Sequence, residues 1–200
     1  MKTVLLDLGN VVLGIDFRRV FSSWAESSGV DARVFYDGWS LDDAYEQHEI
    51  GAIDFNAYTR HLSALLDVEM SDDEWARGWN DLWTEPFHQV IRLLPELQRT
   101  YRLFAFTNTN DTHAACWRDQ YGTLLTPFEE IFVSSEIGVR KPSPEAYLDV
   151  CQRMATHPED VFFVDDNREN IEGANVAGLK AHHASGEAEV LAVLERLLAN

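Results

Sequence analysis

The sequence predicts an α/β fold in which a parallel sheet is buried between helices, with a helical insertion after the first strand. Three observations support this prediction. First, four near-continuous apolar runs recur along the chain, a pattern typical of strands buried on both faces of a parallel sheet. Second, from about residue 87 onward these runs alternate with helical patterns. Third, residues 15–85 contain helical patterns but no convincing strand.

The predicted strands are short and mostly apolar. In chain order they are TVLLDL (3–8), RLFAFTN (102–108), EIFVSS (130–135) and VFFVDD (161–166), with LKAHHAS (179–185) as a weaker fifth candidate. Because these runs do not alternate between apolar and polar residues, we expect helices to cover both faces of the sheet.

The segments between the predicted strands have helix signals. The run PFHQVIRLLPELQRT presents apolar residues on one side, and SPEAYLDVCQRM opens with Ser143 as the expected N-cap and Pro144 at the first helical position. The segment NRENIEGANVAG ends at Gly178, a good helix stop, and GEAEVLAVLERLLAN predicts an amphipathic closing helix.

The predicted insertion is rich in tryptophan. Five of the six tryptophans occur there, and the last three, Trp75, Trp79 and Trp83, are spaced by four residues. This spacing predicts one helix face that packs the interior of the insertion. We therefore predict a core made of residues 1–14 and 86–200, and a helical subdomain made of residues 15–85.

Composition and charge exclude several classes of partner. The chain has 200 residues, 46% of them hydrophobic, and a formal net charge of -18 from 34 acids and 16 bases. Without a Lys/Arg cluster, such a chain is expected to bind neither nucleic acid nor an anionic membrane surface. Cys116 and Cys151 match no zinc spacing, and the N-terminal apolar run is too short for a signal peptide. A cytoplasmic protein is expected.

The residues that could carry out chemistry lie at the ends of the predicted strands. Asp7 follows the first strand, Thr107-Asn108 the second, and Asp165-Asp166 the fourth, while Lys141 lies in the loop after the third. Ligands of open parallel sheets bind at these carboxyl ends. Three carboxylates, a hydroxyl and an ammonium at one edge suit phosphoryl transfer with a carboxylate nucleophile and Mg²⁺. Alone, Asp7 and Thr107-Asn108 are also compatible with turn chemistry, and Lys141 with a solvated loop. The pair Asp165-Asp166 is more specific, because paired acids after an apolar strand are costly without a partner.

In this order, these motifs resemble those of the haloacid dehalogenase-like hydrolase superfamily. The matching segments are LLDLGNVV, FAFTNTN, VRKPSPEAY and VFFVDDNRENIEGA. The resemblance covers essentially the whole chain, and it implies a Rossmann-like three-layer core with a C1-type cap where the insertion falls. Within the cap, YEQHEIGAIDFNAY resembles a segment with a Glu-x-Gly turn. The nearest subgroup resembles small bacterial "DLGN" phosphatases, which include enzymes acting on sugar phosphates such as glucose 1-phosphate.

The resemblance implies a nucleophile and a metal site. Asp7 would be the nucleophile and a Mg²⁺ ligand, and the backbone carbonyl of Gly9 would also reach the metal. Asp166 would ligate Mg²⁺, with Asp165 coordinating it directly or supporting it from behind. Asn170 matches a position that is often a supporting acid.

The resemblance also implies how substrate is held. Thr107 and the backbone of Asn108 would bind the phosphoryl group, and Lys141 would bridge the charges of nucleophile and phosphate. From the cap, Tyr45 and His48 are the expected substrate contacts, because cap residues that face the core choose the substrate. The alternative for each is a place on a solvated helix face.

One departure from the family pattern stands out at Gly9. Related phosphatases commonly carry a second aspartate there, which protonates the leaving alcohol and later activates water. Glycine cannot transfer a proton. Three explanations stay open: a phosphatase that uses water or another acid, such as Asp16 or His48; a 2-haloacid dehalogenase, whose halide leaves unprotonated; or a catalytically weak fold that binds a phosphorylated ligand or a protein.

The favoured reading is a Mg²⁺-dependent hydrolase that cleaves a small phosphomonoester through an aspartyl-phosphate on Asp7. The expected partner is a small phosphorylated metabolite. A sugar phosphate is favoured within that class on the subgroup resemblance alone, and the oligomeric state is left open.

Overall fold

The centre of the molecule is a five-stranded parallel sheet with strand order β5-β4-β1-β6-β7. The computed structural model describes residues 2–199. The strands are β1 (Thr3–Leu6), β2 (Leu13–Ile15), β3 (Trp83–Pro86), β4 (Arg102–Thr107), β5 (Glu130–Val133), β6 (Val161–Asp165) and β7 (Lys180–His183). All five predicted strands are present in the sheet, and the first four end one to two residues before the predicted bounds.

Helices cover the sheet and form the insertion. Those of the insertion are α1 (Phe17–Ser28), α2 (Arg33–Gly38), α3 (Asp43–Glu49), α4 (Phe55–Leu66) and α5 (Asp72–Asn80). Those that follow are α6 (His88–Thr100), α7 (Asp111–Tyr121), α8 (Ser134–Ile137), α9 (Pro144–Arg153), α10 (Arg168–Val176) and α11 (Glu187–Leu198). Ser143 is the N-cap of α9 and Pro144 its first residue, as predicted.

Consecutive residues of β1 belong to two separate hydrophobic cores. Leu6 packs in a cluster with residues of α6 and α11, whereas Leu5 packs in a cluster with residues of α9 and α10. Both side chains are fully buried. Since successive side chains of a strand point to opposite faces, helices cover the sheet on both faces, which confirms the predicted three-layer α/β fold.

The position of β1 between β4 and β6 determines where the polar strand ends meet. Leu6 is in register with Ala105 of β4 and with Val164 of β6. The backbone N–H of Asp7 donates to the carbonyl of Val164 at 2.9 Å, so the ladder continues one residue past the strand. The residues that end these three strands therefore lie side by side at one edge of the sheet.

A two-stranded antiparallel ribbon joins the insertion to the core, and it corrects two predictions. β2 pairs with β3, and Ile15 lies opposite Trp83, so residues 15–85 are not free of strands. Trp83 lies in β3, not on one helix face with Trp75 and Trp79. The two chain passages between core and insertion run side by side, and pairing satisfies their backbone hydrogen bonds. The predicted domain boundaries fall within this ribbon and stay a prediction.

An aromatic cluster packs the interior of the insertion. Trp79 is fully buried and stacks on Trp24 with ring centroids 5.6 Å apart and an interplanar angle of 4°. The indole nitrogen of Trp24 donates to the carbonyl of Trp75 at 3.1 Å. Gly78 permits this close approach of α1 and α5, because a Cβ there would overlap the Trp24 ring.

Among residues 2–199, no helix combines the length and the apolar character that crossing a membrane requires.

The contact at Gly78 predicts that Gly78→Ala destabilises the protein, although alanine is normally the better helix former. We expect the free energy of unfolding in urea to fall by about 1–3 kcal/mol, the usual cost of overpacking. Gly122→Ala is the matched control, because Gly122 has an ordinary φ of −53° and open space for a Cβ. A Gly78→Ala protein as stable as the wild type would contradict the packing described.

Candidate functional site

A cavity of about 510 Å³ lies between the carboxyl edge of the sheet and the insertion. Both parts of the molecule contribute to its walls. The core side consists of Asp7, Gly9, Thr107, Asn108, Arg140, Lys141, Pro142, Asp166, Asn167, Glu169 and Asn170. The insertion side consists of Ile15, Phe17, Leu41, Tyr45, Glu46 and Glu49.

The floor of this cavity is a cluster of opposite charges. The Nζ atom of Lys141 lies 2.8 Å from Oδ1 of Asp7 and 2.7 Å from Oδ2 of Asp165. The lysine side chain is only 1% exposed. Burial alone would lower the pKa of Lys141, but the carboxylates of Asp165 and Asp7 raise it by more than burial lowers it, so the net shift is upward. Lys141 is therefore a fixed positive charge beside Asp7.

The surroundings of Lys141 determine where its ammonium points. Its Nζ lies 5.5 Å from the ring centroid of Phe106 and 5.6 Å from that of Phe163, within the range of cation–π attraction. The side-chain amide of Asn108 binds the lysine backbone twice: Nδ2 donates to its carbonyl at 2.8 Å, and Oδ1 accepts from its N–H at 2.9 Å. Asn108 thus positions the lysine loop as well as lining the cavity.

Asp165 is fully committed to bonds within the protein. It is buried, and besides Lys141 it accepts the Asn167 N–H at 2.8 Å. The Asn170 amide donates to it, with Nδ2 at 3.0 Å from both carboxylate oxygens. The predicted supporting residue Asn170 therefore contacts an acid of the cluster as a hydrogen-bond donor.

Three carboxylates approach one another closely enough to share a cation. Oxygens of Asp7, Asp165 and Asp166 all lie within 4.8 Å of one another. Burial raises the pKa of Asp7, Lys141 lowers it, and the charges of Asp165 and Asp166 raise it. The net result is a pKa of about 7. Burial and Asp165 also raise the pKa of Asp166. A hard divalent cation with oxygen ligands, such as Mg²⁺, would relieve this repulsion, so the donor set fits the metal.

An apolar side chain packs against Gly9, the position of the missing acid. Gly9 lines the cavity, and a Cβ built on it would lie 3.2 Å from Cδ1 of Ile15. That is tighter than ordinary van der Waals contact, so an aspartate at position 9 would require Ile15 to move. The absence of an acid two residues after Asp7 is thus matched by the packing around it.

Residues at the end of β4 supply groups that can bind a phosphoryl oxygen. Thr107 ends the strand and is almost fully buried. Helix α7 follows directly, with Asn110 as its N-cap accepting the His113 N–H at 3.0 Å. The strand end places a hydroxyl and backbone N–H groups at the cavity, whereas the first residues of α7, Asp111 and Thr112, line a smaller cavity of about 250 Å³.

The roof of the cavity is fastened to the core through Arg140. Its Nε donates to Oε2 of Glu49 at 2.9 Å, and its Nη1 to Oε1 of Glu46 at 2.7 Å. Both acids belong to α3. The hydroxyl of Ser134 also donates to the backbone carbonyl of Glu49 at 2.6 Å. These bonds place α3 above Asp7 and Lys141.

Two residues considered from the sequence lie elsewhere. His48 does not line this cavity; it lines a separate one of about 250 Å³ with Asp54 and Asp111, and its ring stacks on Tyr58 at 4.6 Å. Asp16 caps α1 and pairs with Arg18 at 2.8 Å beside another cavity. Neither is placed to act on a ligand above Asp7. Tyr45, by contrast, does line the cavity.

Among the residues of the site that were not predicted from the sequence, three make polar contacts that shape it. Arg140 precedes Lys141, Glu49 begins the Glu-x-Gly turn, and Asn10 follows Gly9. Asn10 adopts a left-handed φ of 53°, accepts the Ile15 N–H at 3.3 Å and forms a hydrogen bond with Asp166. For Asn10 the Gly-Asn pair was the available signal, because asparagine tolerates left-handed backbone, and for Glu49 it was the Glu-x-Gly turn; Arg140 had none.

Known proteins share this fold. A family model for haloacid dehalogenase-like hydrolases matches residues 1–178. The D-ribitol-5-phosphate phosphatase of Bacteroides thetaiotaomicron is 22% identical over 86% of this chain and 85% of its own. A solved enzyme of the same organism and family, in complex with magnesium and inorganic phosphate, superposes with a TM-score of 0.80 at 24% identity, covering 93% of this chain and 95% of that one.

A third comparison extends over the full length. The structure of a predicted hydrolase of the same family from Porphyromonas gingivalis superposes with a TM-score of 0.85 at 18% identity, covering 100% of this chain and 98% of that one. At this identity the likeness concerns the fold. The family model nevertheless spans the insertion and the segments that carry Asp7, Thr107, Lys141 and Asp166. The chain belongs to the haloacid dehalogenase-like hydrolases.

Proposed function

We propose that the protein is a Mg²⁺-dependent phosphomonoester hydrolase that acts through an aspartyl-phosphate on Asp7. The observation that supports this most is the joint placement of three carboxylates and a buried lysine at one cavity. A phosphoryl group needs a nucleophile and compensation of its negative charge, and this cluster offers both.

Hydrogen bonding favours Asp7 as the nucleophile among the three acids. Both oxygens of Asp165 are occupied by Lys141, Asn170 and the Asn167 N–H. Asp7 is approached by Lys141 at Oδ1, which leaves Oδ2 for attack on phosphorus. Since Lys141 is held at Asp7, its charge also lies near the oxygens of a phosphoryl group that reacts there.

Asp7, Asp166 and the backbone carbonyl of Gly9 would hold Mg²⁺, and Asp165 would support the site from behind. The bound cation would neutralise negative charge on the phosphoryl group. Thr107, the Asn108 backbone and Lys141 would bind the phosphoryl oxygens. The relative solved in complex with magnesium and inorganic phosphate is in line with this assignment.

The cavity suits a small hydroxylated metabolite. Its volume of about 510 Å³ is in the range of small-molecule sites. Above the cluster, Tyr45, Glu46 and Glu169 offer groups that hydrogen-bond with hydroxyls, and Phe17 and Leu41 offer apolar area. A sugar or polyol phosphate fits this mixture, and the ribitol-phosphate phosphatase among the relatives acts on such a compound. Within the insertion, Tyr45 is the proposed substrate contact.

A cytoplasmic location is also proposed. Cys116 and Cys151 are free thiols, which agrees with a reducing compartment.

The first test of this proposal is hydrolysis of para-nitrophenyl phosphate by wild type and Asp7→Asn. We expect Asp7→Asn to reduce kcat by at least about a thousandfold, because an amide cannot replace the attacking carboxylate. Asp16→Asn is the matched control, since Asp16 pairs with Arg18 outside the cavity, and it should retain wild-type turnover. Full activity in Asp7→Asn would refute the nucleophile assignment.

The same assay with EDTA separates the phosphatase from the dehalogenase alternative. We expect EDTA to abolish turnover of para-nitrophenyl phosphate and added Mg²⁺ to restore it. Turnover of a 2-haloacid without metal, with the aryl phosphate untouched, would favour a dehalogenase. Turnover of neither compound would favour a binding role for the fold.

Thermal unfolding gives a test of the metal site that does not depend on activity. Mg²⁺ at about a hundredfold excess over its Kd should raise Tm by about 5–10 °C, because binding adds roughly 2.7 kcal/mol. Asp166→Asn should be at least as stable as the wild type without metal, since one repelling charge is gone, and should respond less to Mg²⁺. Equal responses of the two proteins would contradict a site that includes Asp166.

A further inference from the structure

The proposed reaction lacks a proton donor on the floor of the cavity. When the bond between phosphorus and an alcohol oxygen breaks, the departing alkoxide is a strong base and needs a proton. Gly9 has no side chain, and Ile15 fills the space beside it. A side-chain donor would therefore have to come from another part of the cavity wall.

Burial distinguishes the acids that line the cavity. Asp7 and Asp166 belong to the carboxylate cluster, and Glu169 is exposed. Of the two acids on α3, the side chain of Glu46 is 52% exposed, whereas that of Glu49 is 5% exposed. Glu49 is thus the acid outside the cluster that is sheltered from solvent, as a group that must retain a proton until transfer should be.

Glu49 also lies on the side of the cavity where the leaving group departs. In an in-line displacement, nucleophile and leaving oxygen occupy opposite sides of phosphorus. Asp7 attacks from the floor, so the leaving oxygen faces the roof formed by α3, whose last residue is Glu49. Consecutive basic residues connect the two acids: Lys141 contacts Asp7 at 2.8 Å and Arg140 contacts Glu49 at 2.9 Å.

We propose that Glu49 is the general acid and base of this enzyme, in place of the acid that Gly9 lacks. The inference rests on the proposed phosphatase function. In the first step, Asp7 Oδ2 forms a bond to phosphorus, the bond from phosphorus to the alcohol oxygen breaks with its electron pair, and the Glu49 proton moves to that oxygen.

The second step restores both residues. The Glu49 carboxylate takes a proton from water, the water oxygen bonds to phosphorus, and the bond from phosphorus to Asp7 breaks. The products are the alcohol and inorganic phosphate, and the enzyme returns with Asp7 ionised and Glu49 protonated. No further reactant is needed.

The surroundings of Glu49 suit both roles. Burial raises its pKa, against the opposing effects of Arg140, Tyr45 and Lys141, so its protonated form persists closer to neutral pH. Glu46 shares the charge of Arg140. The Tyr45 hydroxyl forms a hydrogen bond with Glu49, and burial holds its own pKa high, so it remains a donor. Tyr58 on α4 also faces Glu49.

The test compares two phosphates of similar size whose leaving groups differ in basicity, para-nitrophenyl phosphate and benzyl phosphate. Nitrophenolate leaves without a proton, whereas the benzyl alkoxide needs one. Glu49→Gln should lower kcat/KM for benzyl phosphate by about 10²–10³-fold, the usual contribution of a general acid, and should lower kcat/KM for the nitrophenyl ester far less. Glu46→Gln, which removes the other partner of Arg140, should change both substrates by the same factor.

Each remaining outcome has a distinct meaning. Equal losses for both phosphates in Glu49→Gln would show that Glu49 only fastens α3 to the core, and would overturn the inference while the phosphatase function stands. A wild type that cleaves the nitrophenyl ester but not benzyl phosphate has no general acid and would also overturn it. A wild type that cleaves neither would refute the proposed function itself. Should Glu49→Gln not fold, Glu49→Asp must show the same preferential loss for benzyl phosphate.

Discussion

The rest of the site depends on one buried ion pair network, the Lys141 ammonium between Asp7 and Asp165. Buried carboxylates at the end of adjacent strands are costly unless an opposite charge and hydrogen bonds accompany them. Lys141 supplies the charge, and the Asn170 amide and the Asn167 N–H supply hydrogen bonds to Asp165. The same network distinguishes the acids, because it saturates Asp165 and leaves one oxygen of Asp7 open. The network around Lys141 thus both compensates the charge of the buried acids and determines which of them can act as the nucleophile.

The loop that carries Lys141 also holds the insertion in place. Arg140 precedes it and binds two acids of α3, while Ser134 binds the backbone of the same helix. A single loop of the core therefore contacts both the floor and the roof of the cavity and fixes their relative positions. Behind α3, the aromatic cluster around Trp79 packs α3 against the other helices of the insertion. The ring centroids of Tyr45 on α3 and Trp79 are 6.2 Å apart. A displacement of this loop would alter both walls of the cavity together.

This arrangement gives physical meaning to the glycine two residues after Asp7. With Ile15 packed against Gly9, the floor is apolar where related enzymes commonly carry an acid. Moving proton transfer to Glu49 would make catalysis depend on the insertion being seated on the core, since Glu49 reaches the cavity only through α3. Substrate selection and proton transfer would then share one element, and water would be excluded by the same contacts that complete the site.

The sequence by itself determined the parallel sheet, its flanking helices, the presence of an insertion and the family, because these follow from local apolar runs, caps and ordered motifs. It also singled out Asp7, Thr107, Lys141 and Asp166, since the carboxyl ends of parallel strands meet at one edge. Only the tertiary structure decided the rest: Trp83 in a ribbon, Asn108 bound to the lysine loop, His48 turned to a second cavity and Glu49 above Asp7. These placements depend on contacts between segments about 30 to 90 residues apart, which local periodicity cannot encode.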